Sequence, residues 1–158
     1  MGSILAIDPG DVESAWVLYD ADKALPSTWG KVPNDDLMFE VLDEQALTGV
    51  QLAVEMVASY GMPVGREVFD TCVWIGRFLE RWGGGDARLV YRSDVKLHLT
   101  HSRRSKDANV RQALLDKFGP GKELAVGKKA SPGPLYGLTG DCWSALGVAV
   151  TAAETEAE

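Results

Sequence analysis

The sequence predicts a mixed α/β domain: a five-stranded sheet with helices on both faces. Three observations lead there. Three strand-type segments come in succession before any helix, whereas the later strands are separated by helical patterns, giving the order β-β-β-α-β-α-β-α-α. "SILAID" and "VQLAVEMV" are short, nearly unbroken apolar runs of the kind that form buried strands. The last helical segment, "DCWSALGVAVTAA", is apolar almost all round and therefore belongs in the interior.

In chain order, "SILAID" is the first strand and "AWVLYD" the second, joined through the short turn "PGDVES". "STWGKV" reads as a third, weaker strand. "DDLMFEVLDEQAL" spaces Leu37, Met38, Val41, Leu42 and Leu47 as one helical face. "VQLAVEMV" is the next core strand, followed by the turn "ASYGMPVG". "REVFDTCVWIGRFLERW" sets Val68, Cys72, Ile75, Leu79 and Trp82 on one helical stripe, which Phe69, Val73 and Phe78 widen; "GGGD" stops the helix. "ARLVYRS" is a fifth strand, and "SKDANVRQALLDKFG" a helix closed by Gly119. The next twenty or so residues, "PGKELAVGKKASPGPLYGLTG", read as a long loop, a length that suggests function or mobility. The acidic tail, about 154–158, reads as frayed.

The 158 residues suit one domain over 1–158, and 46% hydrophobic with 25% charged residues is an ordinary globular balance. No apolar run approaches the roughly 20 residues that span a bilayer, and no signal-peptide pattern opens the chain, so a cytoplasmic protein without membrane contact is expected. Cys72 and Cys142 lie on apolar segments without CxxC spacing and read as reduced core thiols.

The formal charge of -7 argues at first against a nucleic-acid partner. Its distribution reverses that. Residues 88–129 hold eleven Lys/Arg against four acids, a surplus of seven positive charges in a chain that is otherwise strongly acidic. Such segregation points to one basic face for a polyanion, with a solvated basic helix and loop as the plainer alternative.

Three acids interrupt core-type patterns. Asp8 ends an apolar strand, Glu55 sits inside "LAVEMV", and Asp141 opens the apolar last helix. A buried carboxylate needs a partner, and three that converge need a cation. Oxygen donors favour Mg²⁺ or Mn²⁺, and the few Cys and His supply no zinc constellation. Each acid also has a structural reading: Asp8 as a cap on the Pro9-Gly10 turn, Glu55 as a solvent-facing edge residue, Asp141 as a complement to the helix N-terminus.

The set "ILAIDPG", "AVEMV", "KDANVRQALLDKFG" and "GDCWSALGVAV", in this order, resembles the RuvC-type Holliday junction resolvases, in particular their phage-encoded branch, over residues 4–153. The resemblance implies an RNase H-like fold. It also implies a homodimeric endonuclease that nicks branched DNA using two Mg²⁺ per site, with Mn²⁺ able to substitute, inside a bacterial host cell. By motif, Asp8, Glu55 and Asp141 match the family's metal-binding acids. The family's second aspartate on the last helix is here Ser144. Asp107 is the best substitute; its structural reading is a helix-start aspartate that pairs with Arg111. Asp11 is a poorer candidate.

For DNA, Lys96, Arg103, Arg104 and Lys106, with Arg66 apart from them, are the candidate phosphate contacts. Tyr60 and Met62, just after Glu55, are candidate wedges into an opened junction, or else part of a turn packed on the core. His98 and His101 read as phosphate contacts or bystanders. The surplus apolar surface on helix 66–82 suggests a dimer face. Two other readings stay open: a DNA-binding scaffold without chemistry, and a small ATP-binding domain of the actin-like kind.

Overall fold

The computed structural model describes residues 2–83 and 86–155. Strands β1 (Ser3–Asp8), β2 (Glu13–Asp20) and β3 (Leu25–Pro33) form an antiparallel meander. Helix α1 (Asn34–Asp36) runs through a π-helical turn (Leu37–Leu42) into α2 (Asp43–Ala46). Then come β4 (Gln51–Met56), α3 (Arg66–Trp82), β5 (Ala87–Tyr91), α4 (Arg92–Thr100) and α5 (Asp107–Phe118). A short α6 (Lys122–Ala125), the small hairpin β6 (Gly127–Lys128) and β7 (Ser131–Pro132), and α7 (Cys142–Glu154) close the chain.

The sheet order is β3-β2-β1-β4-β5, with β4 parallel to both β1 and β5. β1 is central, and Ile4 to Ile7 are all buried. Strand alternation divides them between two cores. Ile4 and Ala6 join Ala15, Val17, Tyr19, Ala53 and Val90 under α4, α5 and α7. Leu5 and Ile7 join Leu52 and Val54 against the π-helical turn and α3. Helices therefore cover both faces, as the pattern of elements predicts.

Four expectations need correction. First, α4 is a helix that takes in Arg92 and Ser93, expected as the end of a strand, and residues 94–100, for which the sequence predicts no element. Val95, Leu97 and Leu99 alternate like a strand, but Leu97 is exposed, while Val95 and Leu99 share a helical face against α7. Gly147 of α7 permits that approach: a Cβ there would lie 3.1 Å from Val95 Cγ1. Second, the buried stripe of α3 is Thr71, Ile75, Phe78 and Trp82, rotated from the predicted one. Cys72 is consequently half-buried, and only Cys142 is a core thiol. Third, the twenty-residue loop carries α6 and a hairpin and is pinned by buried Leu135 and Leu138. Fourth, Glu154 is helical and anchored, its carboxylate binding Lys117 Nζ at 2.6 Å and His98 Nε2 at 3.0 Å. Thr155 is held in turn by Arg88. Residues 156–158 of the expected frayed tail, and part of "GGGD", lie outside the described residues; α3 itself closes on left-handed Gly83.

Candidate active site

The site grows from strand alternation. Asp8 continues the Ile4-Ala6 face of β1, and Glu55 the Ala53 face of β4. Ile7 pairs with Val54 across the parallel ladder, so Asp8 and Glu55 stand side by side at the strand ends. On the other flank Ala15 pairs with Asp8 and also with Lys31. One row across the sheet thus reads Lys31, Ala15, Asp8, Glu55, Val90. Above it lies the start of α7, led by Asp141, and beside it the start of α4, led by Arg92.

The turn behind Asp8 is fixed by a closed ring of hydrogen bonds. Gly10 N–H donates to Ser14 Oγ (3.1 Å), Ser14 Oγ–H to Asn34 Oδ1 (2.6 Å), and Asn34 Nδ2 to the Gly10 carbonyl (3.0 Å). Ser14 and Asn34 are buried. A Cβ on Gly10 would lie 2.3 Å from the Glu13 carbonyl oxygen, so the turn needs glycine for close approach.

Asp8 and Glu55 come within hydrogen-bond reach of each other. Burial, then the Glu55 charge and hydrogen bond, push the Asp8 carboxyl up to about 9; Asp141 adds to this and Arg92 opposes it. Burial also raises Glu55, the charges of Asp107 and Asp141 adding while Asp8's hydrogen bond and Arg92 pull it down. The two carboxyls thus stand crowded together, both pushed up chiefly by burial. Glu55 Oε1 is buried without a hydrogen-bond partner.

Asp141 and Asp107 act on this pair electrostatically but are held by bases. Lys31 Nζ donates to Asp141 Oδ2 at 2.7 Å and lies 3.7 Å from Glu13 Oε1. Arg92 donates to Asp107 Oδ1 through Nη2 (2.8 Å) and Nε (3.3 Å), and its Nη1 faces Glu55 Oε1 at 3.9 Å. Lys96 Nζ lies 3.8 Å from Asp107 Oδ1. The Arg92 hydrogen bond holds the Asp107 carboxyl below the usual carboxylate range. Arg111 is not its partner; that guanidinium lies 4.4 Å over the Trp143 ring. Among the described residues no three His, Cys, Asp or Glu side chains form one ready-made metal cluster. The donor chemistry nonetheless fits a divalent cation: an all-oxygen set, two half-buried carboxyls crowded together, and an orphaned Glu55 oxygen.

Of the candidate DNA contacts, only Lys96 lies within ion-pair distance of one of these acids; the others differ in exposure and partners. Arg103 Nη1 is bound to Asp94 Oδ1 at 2.6 Å, whereas Arg104 and Lys106 are exposed. Arg66 is open to solvent, 3.5 Å from Asp70. His98 is occupied by Glu154, and His101 is an exposed left-handed cap on α4. Tyr60 and Met62 are not packed on the core: they are 65% and 70% exposed. Tyr60 and Gly61 both have positive φ, and Met62 N–H donates to the Ser59 carbonyl at 2.9 Å, making a tight tip. No hydrogen bond or ion pair ties Asp11 to the pair.

Sequence reasoning missed Lys31 and Arg92 as site residues, and Ser14 and Asn34 as its scaffold. The signal for the first two was alternation. Arg92 extends the Arg88-Val90 face of β5, and Lys31 the Trp29 face of β3.

No protein-family model matches the chain, and no curated protein matches it. Solved structures do. The Thermus thermophilus RuvC structure superposes with a TM-score of 0.64 at 15% identity, covering 94% of this chain and 92% of that one. T. thermophilus RuvC in complex with Holliday junction substrate gives 0.63 at 16% identity, over 96% and 92%. The fold of this chain is therefore RuvC-like and RNase H-like.

Proposed function

We propose that the chain is a metal-dependent, structure-selective DNA endonuclease that resolves four-way junctions by paired nicks. The carrying observation is the half-buried Asp8–Glu55 pair at the strand ends, on which Asp141 and Asp107 converge electrostatically. Its support from outside the chain is the shared fold with a RuvC solved on Holliday junction substrate.

In this reading Asp8, Glu55 and Asp141 hold Mg²⁺, with Asp107 as the fourth ligand, two ions per site, and Mn²⁺ as a substitute. Ions so bound supply an activated water and stabilise the leaving oxygen. The chain's own residues do the rest. The strand ends and the Ser14–Asn34 ring hold the carboxylates still. Arg103, Arg104, Lys106 and Arg66, with Lys96 nearer the acids, position phosphates without reading sequence. The tip at Tyr60 and Met62 stands ready to wedge between base steps at the branch point.

The test is nicking of a four-way junction beside linear duplex and RNA–DNA hybrid, in Mg²⁺ and Mn²⁺. Symmetric nicks confined to the junction are expected. Tight junction binding without cleavage would instead support a scaffold. That second reading is favoured by one observation: Asp141 and Asp107 are already paired with Lys31 and Arg92.

A two-fold junction calls for two sites, so we also propose a homodimer. Phe69 and Val73 on α3 are each 62% exposed, and Val73 shares an open surface cleft with exposed Leu47. Light scattering is expected to give twice the chain mass for the wild type and a monomer for a Phe69→Asp, Val73→Asp double variant. A wild-type monomer at micromolar concentration, with or without junction DNA, would rule the dimer out. Among the described residues no helix is long and apolar enough to cross a membrane.

A further inference from the structure

We propose that Arg92 competes with the second of the two divalent cations, so that the centre fills in two unequal steps. This rests on the metal-dependent reading above. Arg92 opens α4, one residue past β5. Its Nη2 and Nε both donate to Asp107 Oδ1, at 2.8 and 3.3 Å. Its Nη1 lies 3.9 Å from Glu55 Oε1, and neither atom has a hydrogen-bond partner although both are buried. The guanidinium therefore spans the gap between Glu55 and Asp107. It lies close beneath α7, where a Cβ added at Gly147 would stand 3.9 Å from Nη1.

A Mg²⁺ shared by Glu55 and Asp107 would need oxygens at about 2.1 Å on each side, which is the space the guanidinium fills. The two sides of the centre thus differ. At Asp8–Glu55 a cation relieves two crowded carboxyls; it faces Arg92 only at Nη1, which makes no hydrogen bond, and on the other flank the Lys31–Asp141 pair, whose side chains are 42% and 54% exposed and so weakly bound. Towards Asp107 a cation must displace a partly buried arginine and two charge-assisted hydrogen bonds. Asp107 itself is 79% exposed, so solvent screens these bonds, and the asymmetry rests on the arginine, 22% exposed; the two affinities should differ by about tenfold.

The experiment is a Mn²⁺ titration of the full chain without DNA, read by the electron paramagnetic resonance of free Mn²⁺. The wild type should bind one ion tightly and a second about tenfold weaker. Arg92→Met should draw the second affinity to within about threefold of the first, and Arg92→Lys, which keeps the charge, should restore the separation. Asp107→Asn should keep the first ion and lose the second, which covers the case of an unstable Arg92 variant. Equal wild-type affinities would overturn the proposal and leave the metal-dependent reading intact. Weaker second-ion binding in Arg92→Met would also overturn it, making the arginine a support for Asp107. No Mn²⁺ binding at all would overturn both.

Discussion

Asp8→Asn is expected to abolish junction nicking and, at the same time, to make the metal-free protein more stable. The two effects share a cause. Outer-shell partners of metal ligands are worth 10–100-fold, so losing a ligand from the centre of the site should cost more than about 100-fold in nicking rate. Without metal, however, Asp8 is a half-buried acid crowded by Glu55, its carboxyl raised to about 9 from an ordinary 3.8. A raised acid binds its proton more tightly in the folded chain than in the unfolded one. Its stabilising effect is therefore complete at acid pH and is lost as the pH rises through the interval from about 4 to about 9. Asparagine keeps the shape, carries no charge at any pH, and removes that slope. With allowance for relaxation of a coupled pair, the gain at pH 8 is on the order of 2 kcal/mol, or about 5 °C in Tm for a chain of this size. Thermal melts in chelator at pH 5 and pH 8 check it. The variant should gain more at pH 8 than at pH 5, and saturating Mg²⁺ should shrink or reverse the difference. A gain over the wild type that is the same at pH 5 and pH 8, or a variant that still nicks, would show that Asp8 is not the centre of this site.

Much of this was legible in the sequence because burial and alternation act locally. Apolar runs ending on Asp8 and Glu55 mark parallel strands that finish together, and the all-apolar α7 had to cover the sheet. The pairing of Asp8 with Glu55 follows once β1 and β4 are neighbours. What was illegible depends on tertiary contact. The helix at Arg92–Thr100 is chosen by a glycine on α7 fifty residues away, against a local strand-like alternation. The stripe of α3 turned because Thr71, a residue with no apolar claim on the core, is buried with its hydroxyl donating to the Glu67 carbonyl at 2.7 Å. Lys31 and Arg92 escaped notice for a related reason. Each looks like surface charge in its own segment, and only the register of five strands puts both beside the same acids. The basic surplus of residues 88–129 likewise proves partly structural, since Arg92, Arg103 and Lys117 are paired with acids and Arg88 binds the end of α7.

Asn34→Ala is expected to damage the site from a distance, through the ring behind Asp8. Asn34 is 1% exposed, and its side-chain amide closes the Gly10–Ser14 ring at both ends. Alanine removes both contacts and leaves the Gly10 carbonyl and the Ser14 hydroxyl buried without their partner. The cost is about 2–3 kcal/mol, or roughly 6 °C in Tm. The Asn34 backbone N–H, which donates to the Val12 carbonyl at 3.0 Å, is untouched, so the strands should still meet and the chain should fold. What loosens is the turn two residues beyond Asp8. A carboxylate displaced by even about 1 Å costs on the order of 100-fold in rate. Single-turnover nicking should therefore fall about 10–100-fold at a temperature where the variant is fully folded. Junction affinity should hold, because no candidate phosphate contact lies on this turn. Equal losses of binding and rate would mean that the variant has simply unfolded. An unchanged rate beside the lowered Tm would mean that the strand ladder alone places Asp8, and that the ring serves stability only.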